Sequence, residues 1–198
     1  MTKSKFQIFK EKSKSFTLLE ILTVVFLGSI IIMAGYSVYL ISYKSYQRNS
    51  QSSELAQNAR IALERMSREI RQTVDILTVL PETPEEGTPA IELKFQDGHN
   101  FADTGKIQYI TYYLSGTDLY RKTSHYCFDT APDDWVLWST KDHEGNSPTE
   151  QFDLDQMKAQ KITSLQFWGD KTITIHLTVS DGASTYTFET KTLGRNIQ

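Results

Sequence analysis

The 198-residue chain is long enough for one ordinary domain plus an appendage, and its apolar residues are unevenly spread along it. From residue 81 to the end it carries 10 basic and 18 acidic residues. This balance argues against nucleic-acid binding, because that function usually needs a basic face. The one cysteine, Cys127, cannot form an internal disulfide, so we expect no bridge to stabilise the domain.

The chain opens with a basic segment, which a long apolar segment follows. Residues 1–15 contain five lysines and one acid, and residues 16–43 contain a single charged residue, Glu20. As a helix, residues 21–43 would extend about 35 Å, which is enough to cross the roughly 30 Å hydrocarbon layer of a membrane. Because the lysines precede this span, the positive-inside rule predicts a single-pass inner-membrane protein with a cytoplasmic N-terminus and an external remainder.

Three interpretations of this N-terminal segment compete. A secretory signal peptide has a shorter apolar core, whereas here the run is long and a helical pattern continues beyond it. A plain membrane anchor fits the length and the flanks. It accounts for Glu20 only if the carboxylate lies at the interface, in a first helical turn where the helix dipole tolerates an acid. The third interpretation depends on the residues around Glu20.

Residues 12–20 read KSKSFTLLE, a run that resembles the cleavage and methylation motif of type IV prepilins and type II secretion pseudopilins. In that family a short basic leader (here residues 1–15) ends in a small residue, and Phe, Thr, Leu, an apolar residue and Glu follow. Phe16–Glu20 match this order position for position, and Ser15 stands where the family usually has Gly. The resemblance implies that a prepilin peptidase cuts between Ser15 and Phe16 and that the new amine of Phe16 is methylated.

The resemblance also implies that Glu20 is the glutamate that sets register during filament assembly. Cleavage before Phe16 would create a positive amine in or near the apolar layer. A carboxylate attracts such an amine strongly at low dielectric, although desolvation cancels much of the gain. An unpaired charge would penalise misregistered subunits, so Glu20 would contribute more to register than to stability.

Residues 44–80 contain no Gly or Pro and predict an amphipathic continuation of the same helix. Their apolar residues recur at spacings of three and four and so share one face: Leu55, Ala59, Ala62, Leu63, Met66, Ile70, Val74 and Leu77. We expect this outer half of the helix to pack on a globular domain. The stretch Asn58–Thr73, NARIALERMSREIRQT, is similar to this region in J-type minor pseudopilins and related minor pilins.

Residues 81–198 are predicted to form the globular domain. The run PETPEEGTP at 81–89 predicts a loop that ends the helix. Period-two patterns then predict strands at about 91–95, 106–114, 118–123, 135–139, 162–168, 172–180 and 184–193, with a turn at Asp181-Gly182. The predicted fold is α+β, a long N-terminal helix packed on an antiparallel sheet, and the resemblance implies a pilin-like fold.

Residues 124–160 are polar and acidic, and we expect them to form a loop insertion in the sheet. They contain two tryptophans, Trp135 and Trp138. Two interpretations stay open: a tip or partner contact, since exposed loops on a fixed scaffold often bind, or a solvated insertion whose tryptophans fold onto the sheet.

The sequence offers no catalytic motif. Its histidines lack metal-binding spacing, and there is no GxSxG, Walker A or dinucleotide-binding glycine pattern. His125 and Cys127 would face the same side of a strand but lack a third ligand nearby. The acids Asp129, Asp133 and Asp134 lack the spacing of a calcium loop. We therefore expect no enzyme, no metal site and no cofactor.

Two classes of function remain. In the first, the chain is a minor pilin or pseudopilin, a structural subunit of a type IV pilus or of a type II secretion-like filament. The resemblance then implies prepilin peptidase, other pilins or pseudopilins, an inner-membrane assembly platform and membrane lipid as partners. In the second, it is a bitopic membrane protein whose exported β-rich domain binds a ligand or partner. Only the first class predicts that assembly depends on Glu20.

Overall fold

The structure, a computed structural model, describes residues 17–99 and 106–194. Within these ranges the chain forms one helix and eight strands: α1 (Leu18–Gln72), β1 (Leu93–Gln96), β2 (Tyr109–Ser115), β3 (Asp118–Phe128), β4 (Ala131–Val136), β5 (Thr149–Ala159), β6 (Ile162–Trp168), β7 (Thr172–Ser180) and β8 (Thr185–Leu193). These strands pair only in the antiparallel sense, so the fold is α+β. The chain divides into two compact units, an N-terminal unit that ends at Asn49 and a C-terminal unit that begins at Ser50.

Two antiparallel sheets form the β part of the C-terminal unit. The larger sheet has the order β1-β2-β3-β4, with β5 also paired to β3, and the smaller sheet has the order β6-β7-β8. The turn between β7 and β8 is closed by Asp181, whose Oδ1 accepts hydrogen bonds from the backbone nitrogens of Ala183 and Ser184 at 2.9 and 2.8 Å. Gly182 beside it has a φ of 86°, a left-handed conformation that favours glycine. The turn predicted at Asp181-Gly182 is confirmed.

The part of α1 within the C-terminal unit shares one hydrophobic core with both sheets. Its buried residues between 55 and 70 follow the predicted spacing of three and four, so this apolar face is confirmed. The core also contains aromatic and branched residues from each sheet, among them Phe95, Tyr112, Leu119, Phe167, Ile175 and Leu177. Burial of these side chains gives the helix a fixed position on the sheets.

A partly buried ionic cluster around Glu69 joins α1 to the larger sheet. Tyr112 Oη donates a hydrogen bond to Glu69 Oε2 at 2.8 Å, and Arg121 Nε lies 2.9 Å from the same oxygen. Arg65 Nε donates to Glu69 Oε1 at 3.2 Å. Burial lowers the pKa of Arg121, but its hydrogen bond to Glu69 and the charge of that carboxylate outweigh burial, so the net pKa is raised. The cluster therefore satisfies charged groups at the junction of helix and sheet.

The helix ends at Gln72 and does not continue to Leu80, so the predicted helical segment 73–80 is wrong. After Gln72 the backbone pairs with β1: Val74 N donates to Gln96 O at 3.3 Å, and Leu77 N donates to Lys94 O at 2.9 Å. The side chain of Thr73 also donates to Gln96 O at 3.0 Å. Threonine and the branched residues that follow it have a weaker preference for the helix, so an available strand edge decides the conformation.

The predicted loop insertion at 124–160 is also wrong in part, because most of this segment is strand. β3 extends to Phe128, and β4 and β5 lie within the segment. Trp135 stacks on His125 with ring centroids 4.3 Å apart. The backbone nitrogen of Trp138 donates to Tyr109 Oη at 3.0 Å. Both tryptophans thus contact residues of the larger sheet, as one of the two open interpretations expects.

Candidate functional site: an exposed apolar helix with one carboxylate

The first part of α1 presents a continuous apolar surface. The large apolar side chains from Leu18 to Tyr43 are all exposed, and Leu18 is 83 % exposed. Among the described residues, α1 is the one helix long and apolar enough to cross a membrane. Soluble proteins rarely expose apolar surface of this extent, so it requires a cover such as lipid or other helices.

Three hydroxyl side chains of this apolar stretch bond to their own helix. The hydroxyl groups of Thr23, Ser29 and Ser37 donate to the carbonyl oxygens of Glu20, Phe26 and Met33 at 2.9, 2.7 and 2.9 Å. In hydrocarbon a hydroxyl group finds no water, and bonding to a carbonyl of the preceding turn satisfies it internally. These serines and threonines are therefore compatible with an apolar environment on every side of the helix.

The beginning of α1 is capped by Thr17, which the sequence analysis did not single out. The backbone nitrogen of Glu20 donates to Thr17 O at 3.0 Å and to Thr17 Oγ1 at 3.3 Å. Thr17 and Glu20 thus occupy the N-cap and third helical positions, the S/T-x-x-E spacing of a capping box. The same spacing within the run FTLLE could have indicated this cap from the sequence alone.

Glu20 is the one acidic or basic side chain in this apolar stretch, and it lies in the first turn of the helix. It is exposed, and its carboxylate has no hydrogen-bond or ionic partner among residues 17–99 and 106–194. The positive end of the helix dipole favours a carboxylate at this position. A carboxylate without a counter-charge is nevertheless unfavourable next to an apolar surface. We therefore expect the Glu20 carboxylate to bind a cationic group when lipid or other helices contact this part of α1.

The other residues of the predicted processing site, Ser15 and Phe16, lie outside the described residues. Cleavage between them and methylation of Phe16 stay predictions. Gly28 and Gly35 lie within the uninterrupted helix, and an added methyl group at either would have no neighbouring atom within 4 Å. Both glycines are thus free to approach another helix closely.

His125 and Cys127, which the sequence suggested as a weak metal pair, lie two residues apart on β3. His125 Nδ1 bonds to Asp153 Oδ1 at 2.8 Å, and Cys127 is buried. In the described part of the chain, no three His, Cys, Asp or Glu side chains come together as a group that could hold a metal ion.

No protein-family model matches the chain, and a search of curated proteins finds no match. This is an α+β protein that has an N-terminal helix long and apolar enough to span a membrane.

Proposed function

We propose that this chain is a minor pilin or pseudopilin, a structural subunit of a type IV pilus or type II secretion-like filament. One observation carries the proposal: the exposed apolar segment from Leu18 to Tyr43 has a single carboxylate, that of Glu20, in its capped first turn, and the run KSKSF comes shortly before it. The long helix and the antiparallel sheets support a pilin-like fold. Before assembly the apolar surface would contact lipid, and in the filament it would contact the helices of neighbouring subunits.

The unpartnered carboxylate of Glu20 supports a role in register. Cleavage between Ser15 and Phe16 by a prepilin peptidase would leave a cationic amine four residues before Glu20. A neighbouring subunit whose Glu20 reaches that amine would neutralise two charges in an apolar layer, and a shift along the axis would leave both unpaired. The five lysines of residues 1–15 support insertion with a cytoplasmic N-terminus before cleavage.

Mass spectrometry of the protein extracted from its native membranes tests the processing step. We expect a mature N-terminus at Phe16 that carries one methyl group. Recovery of only the form that begins at Met1 would contradict the proposal.

A matched pair of substitutions tests the role of Glu20. We expect Glu20→Gln to insert and to be processed normally but to be absent from sheared filaments, because the amide cannot neutralise an amine. Glu54→Gln changes an exposed glutamate on the same helix and should enter filaments like the native chain. Normal function of Glu20→Gln would instead favour a bitopic membrane protein whose β-rich domain binds a ligand or partner.

A further inference from the structure

In the part of α1 that belongs to the C-terminal unit, two exposed arginines have no ionic partner among residues 17–99 and 106–194. Arg68 pairs with Glu64 at 2.9 Å, and Arg65 pairs with Glu69 at 3.2 Å. Arg60 and Arg71 are exposed and form no ion pair with any described residue. This surplus is unusual here, because residues 73–198 contain 10 basic and 19 acidic residues.

Both unpaired arginines line a single groove between the helix and β8. The groove has a volume of about 610 Å³, and we call it the arginine groove; its lining includes Arg60, Arg68 and Arg71 from α1 and Glu189 and Thr190 from β8. Its three guanidinium groups outnumber the two carboxylates, those of Glu64 and Glu189, that also line it. Guanidinium groups bind carboxylates with two parallel hydrogen bonds, so the groove is suited to an acidic segment.

The C-terminal unit also carries an exposed acidic segment. Residues 81–90 form a loop, the acidic loop, in which Glu82, Glu85 and Glu86 are exposed and form no ion pair within the described ranges. The loop is held in place at both ends. Gly169 N donates to Pro81 O at 2.8 Å, and Ala90 exchanges two backbone hydrogen bonds with Phe167 at 3.0 and 2.8 Å. Its carboxylates are therefore presented by a fixed backbone.

The groove and the loop lie at opposite edges of the smaller sheet. The sheet order is β6-β7-β8; the loop is anchored on β6 and on the residue after it, while the groove is bordered by β8. One copy cannot bring the two surfaces together, because β7 lies between them. Two copies placed side by side can do so, and the pair would still have one groove, on one copy, and one loop, on the other, unoccupied.

We infer that the arginine groove of one copy binds the acidic loop of a second copy. Such a contact joins two different surfaces of neighbouring copies. Repetition of the contact forms a closed ring only if the rotation from copy to copy completes a circle; otherwise it forms an open filament. As a filament contact it rests on the function proposed above and adds a contact made by the C-terminal unit. The charge complementarity would favour one arrangement of neighbours and would weaken as salt screens it.

Disulfide crosslinking of full-length copies in native membranes tests the contact. One tagged copy carries Thr190→Cys in the groove and the other carries Thr88→Cys in the loop, so every charge stays in place. We expect a mixed disulfide dimer in roughly tenfold excess over a control pair of Thr190→Cys and Thr149→Cys, because a disulfide needs Cα atoms within about 7 Å. Equal yields for the two pairs would overturn the inference.

Charge reversal tests whether the carboxylates and guanidinium groups carry the contact. We expect Arg60→Glu with Arg71→Glu to abolish most of the crosslink, and Glu85→Arg with Glu86→Arg to do the same. The four changes combined in one chain should restore it, and circular dichroism of each variant reports whether it folds. The inference would be overturned if the combined variant folds but does not regain the crosslink. It would also be overturned if only the arginine changes reduce the crosslink, because the groove would then bind another acidic partner.

The two experiments separate this inference from the proposed function. A crosslink without a mature N-terminus at Phe16 would retain the contact between copies and reject the filament function. Processed filaments without the crosslink would retain the function and reject the contact.

Discussion

Glu69 accepts hydrogen bonds from side chains of three different elements: Arg65 of α1, Tyr112 of β2 and Arg121 of β3. The Glu69 and Arg121 side chains are only 12 % and 14 % exposed, so water replaces a lost partner poorly. We expect Glu69→Gln to lower the free energy of unfolding by about 2–4 kcal/mol, because the guanidinium group of Arg121 would lose its counter-charge. Urea unfolding of the full chain in detergent measures this loss.

The control for Glu69 is Glu64, one turn earlier on the same helix. Glu64 pairs with Arg68, and both side chains are more than two-thirds exposed. We expect Glu64→Gln to change the free energy of unfolding by less than about 0.5 kcal/mol. Equal losses for the two variants would mean that the cluster around Glu69 contributes no more than a surface ion pair.

Buried tyrosines predict loss of stability at high pH. Burial raises the pKa of Tyr109 from 10.0 to about 12. Burial, followed by the charge of Glu69, also raises the pKa of Tyr112. A raised pKa means that the unfolded chain releases the proton first, so stability is complete below about pH 10 and falls between pH 10 and about 12. Urea midpoints across this range should decline, and Tyr109→Phe should reduce the slope.

At the scale of elements, the sequence predicted the helix face and the strands whose apolar pattern lies within the element itself. The spacing of apolar residues from Leu55 to Ile70 indicated the buried helix face, and alternation indicated β6, β7 and β8. The end of the helix could not be read from residues 73–80, because their conformation is decided by hydrogen bonds to β1, more than 15 residues away. Likewise β5, which pairs with β3, has a mostly polar sequence in which apolar and polar residues alternate only from 152 onward and with a break at 155–156.

Gly98 lies where the chain after β1 passes the end of α1. A Cβ atom at this position would lie 1.8 Å from Gln72 O, so any side chain would force one of the two backbone segments to move. We expect Gly98→Ala to lower the free energy of unfolding by about 1–3 kcal/mol, measured by urea unfolding.

The control for this close approach is Gly87 in the acidic loop. There an added Cβ would meet only the side chain of Pro81, at 3.1 Å. We expect Gly87→Ala to be the milder change, and a loss as large as that of Gly98→Ala would contradict the steric explanation.

At the scale of the whole molecule, composition predicted where the exposed apolar helix lies better than it predicted the contacts between residues. The uncharged run from 21 to 43 indicated the exposed apolar helix, and Glu20, directly before it, was evident as the only acid of residues 16–43. The cap by Thr17 had a signal in the sequence, whereas the arginine groove had none. The groove joins residues of α1 to residues of β8, which lie more than 100 positions later in the sequence.

The chain divides into two units between residues 49 and 50. We therefore expect that removal of the first unit makes the protein soluble and leaves the second unit folded. Among the described residues, those of the buried core all lie after Ser50, beginning with Leu55, whereas the continuous exposed apolar surface lies before Asn49. A chain that begins at Ser50 should therefore be soluble and folded without detergent, with a urea midpoint close to that of the full chain in detergent. Glu69→Gln should lower the stability of both forms equally. Aggregation of the shortened chain, or a markedly lower midpoint, would show that the first 49 residues contribute to the core.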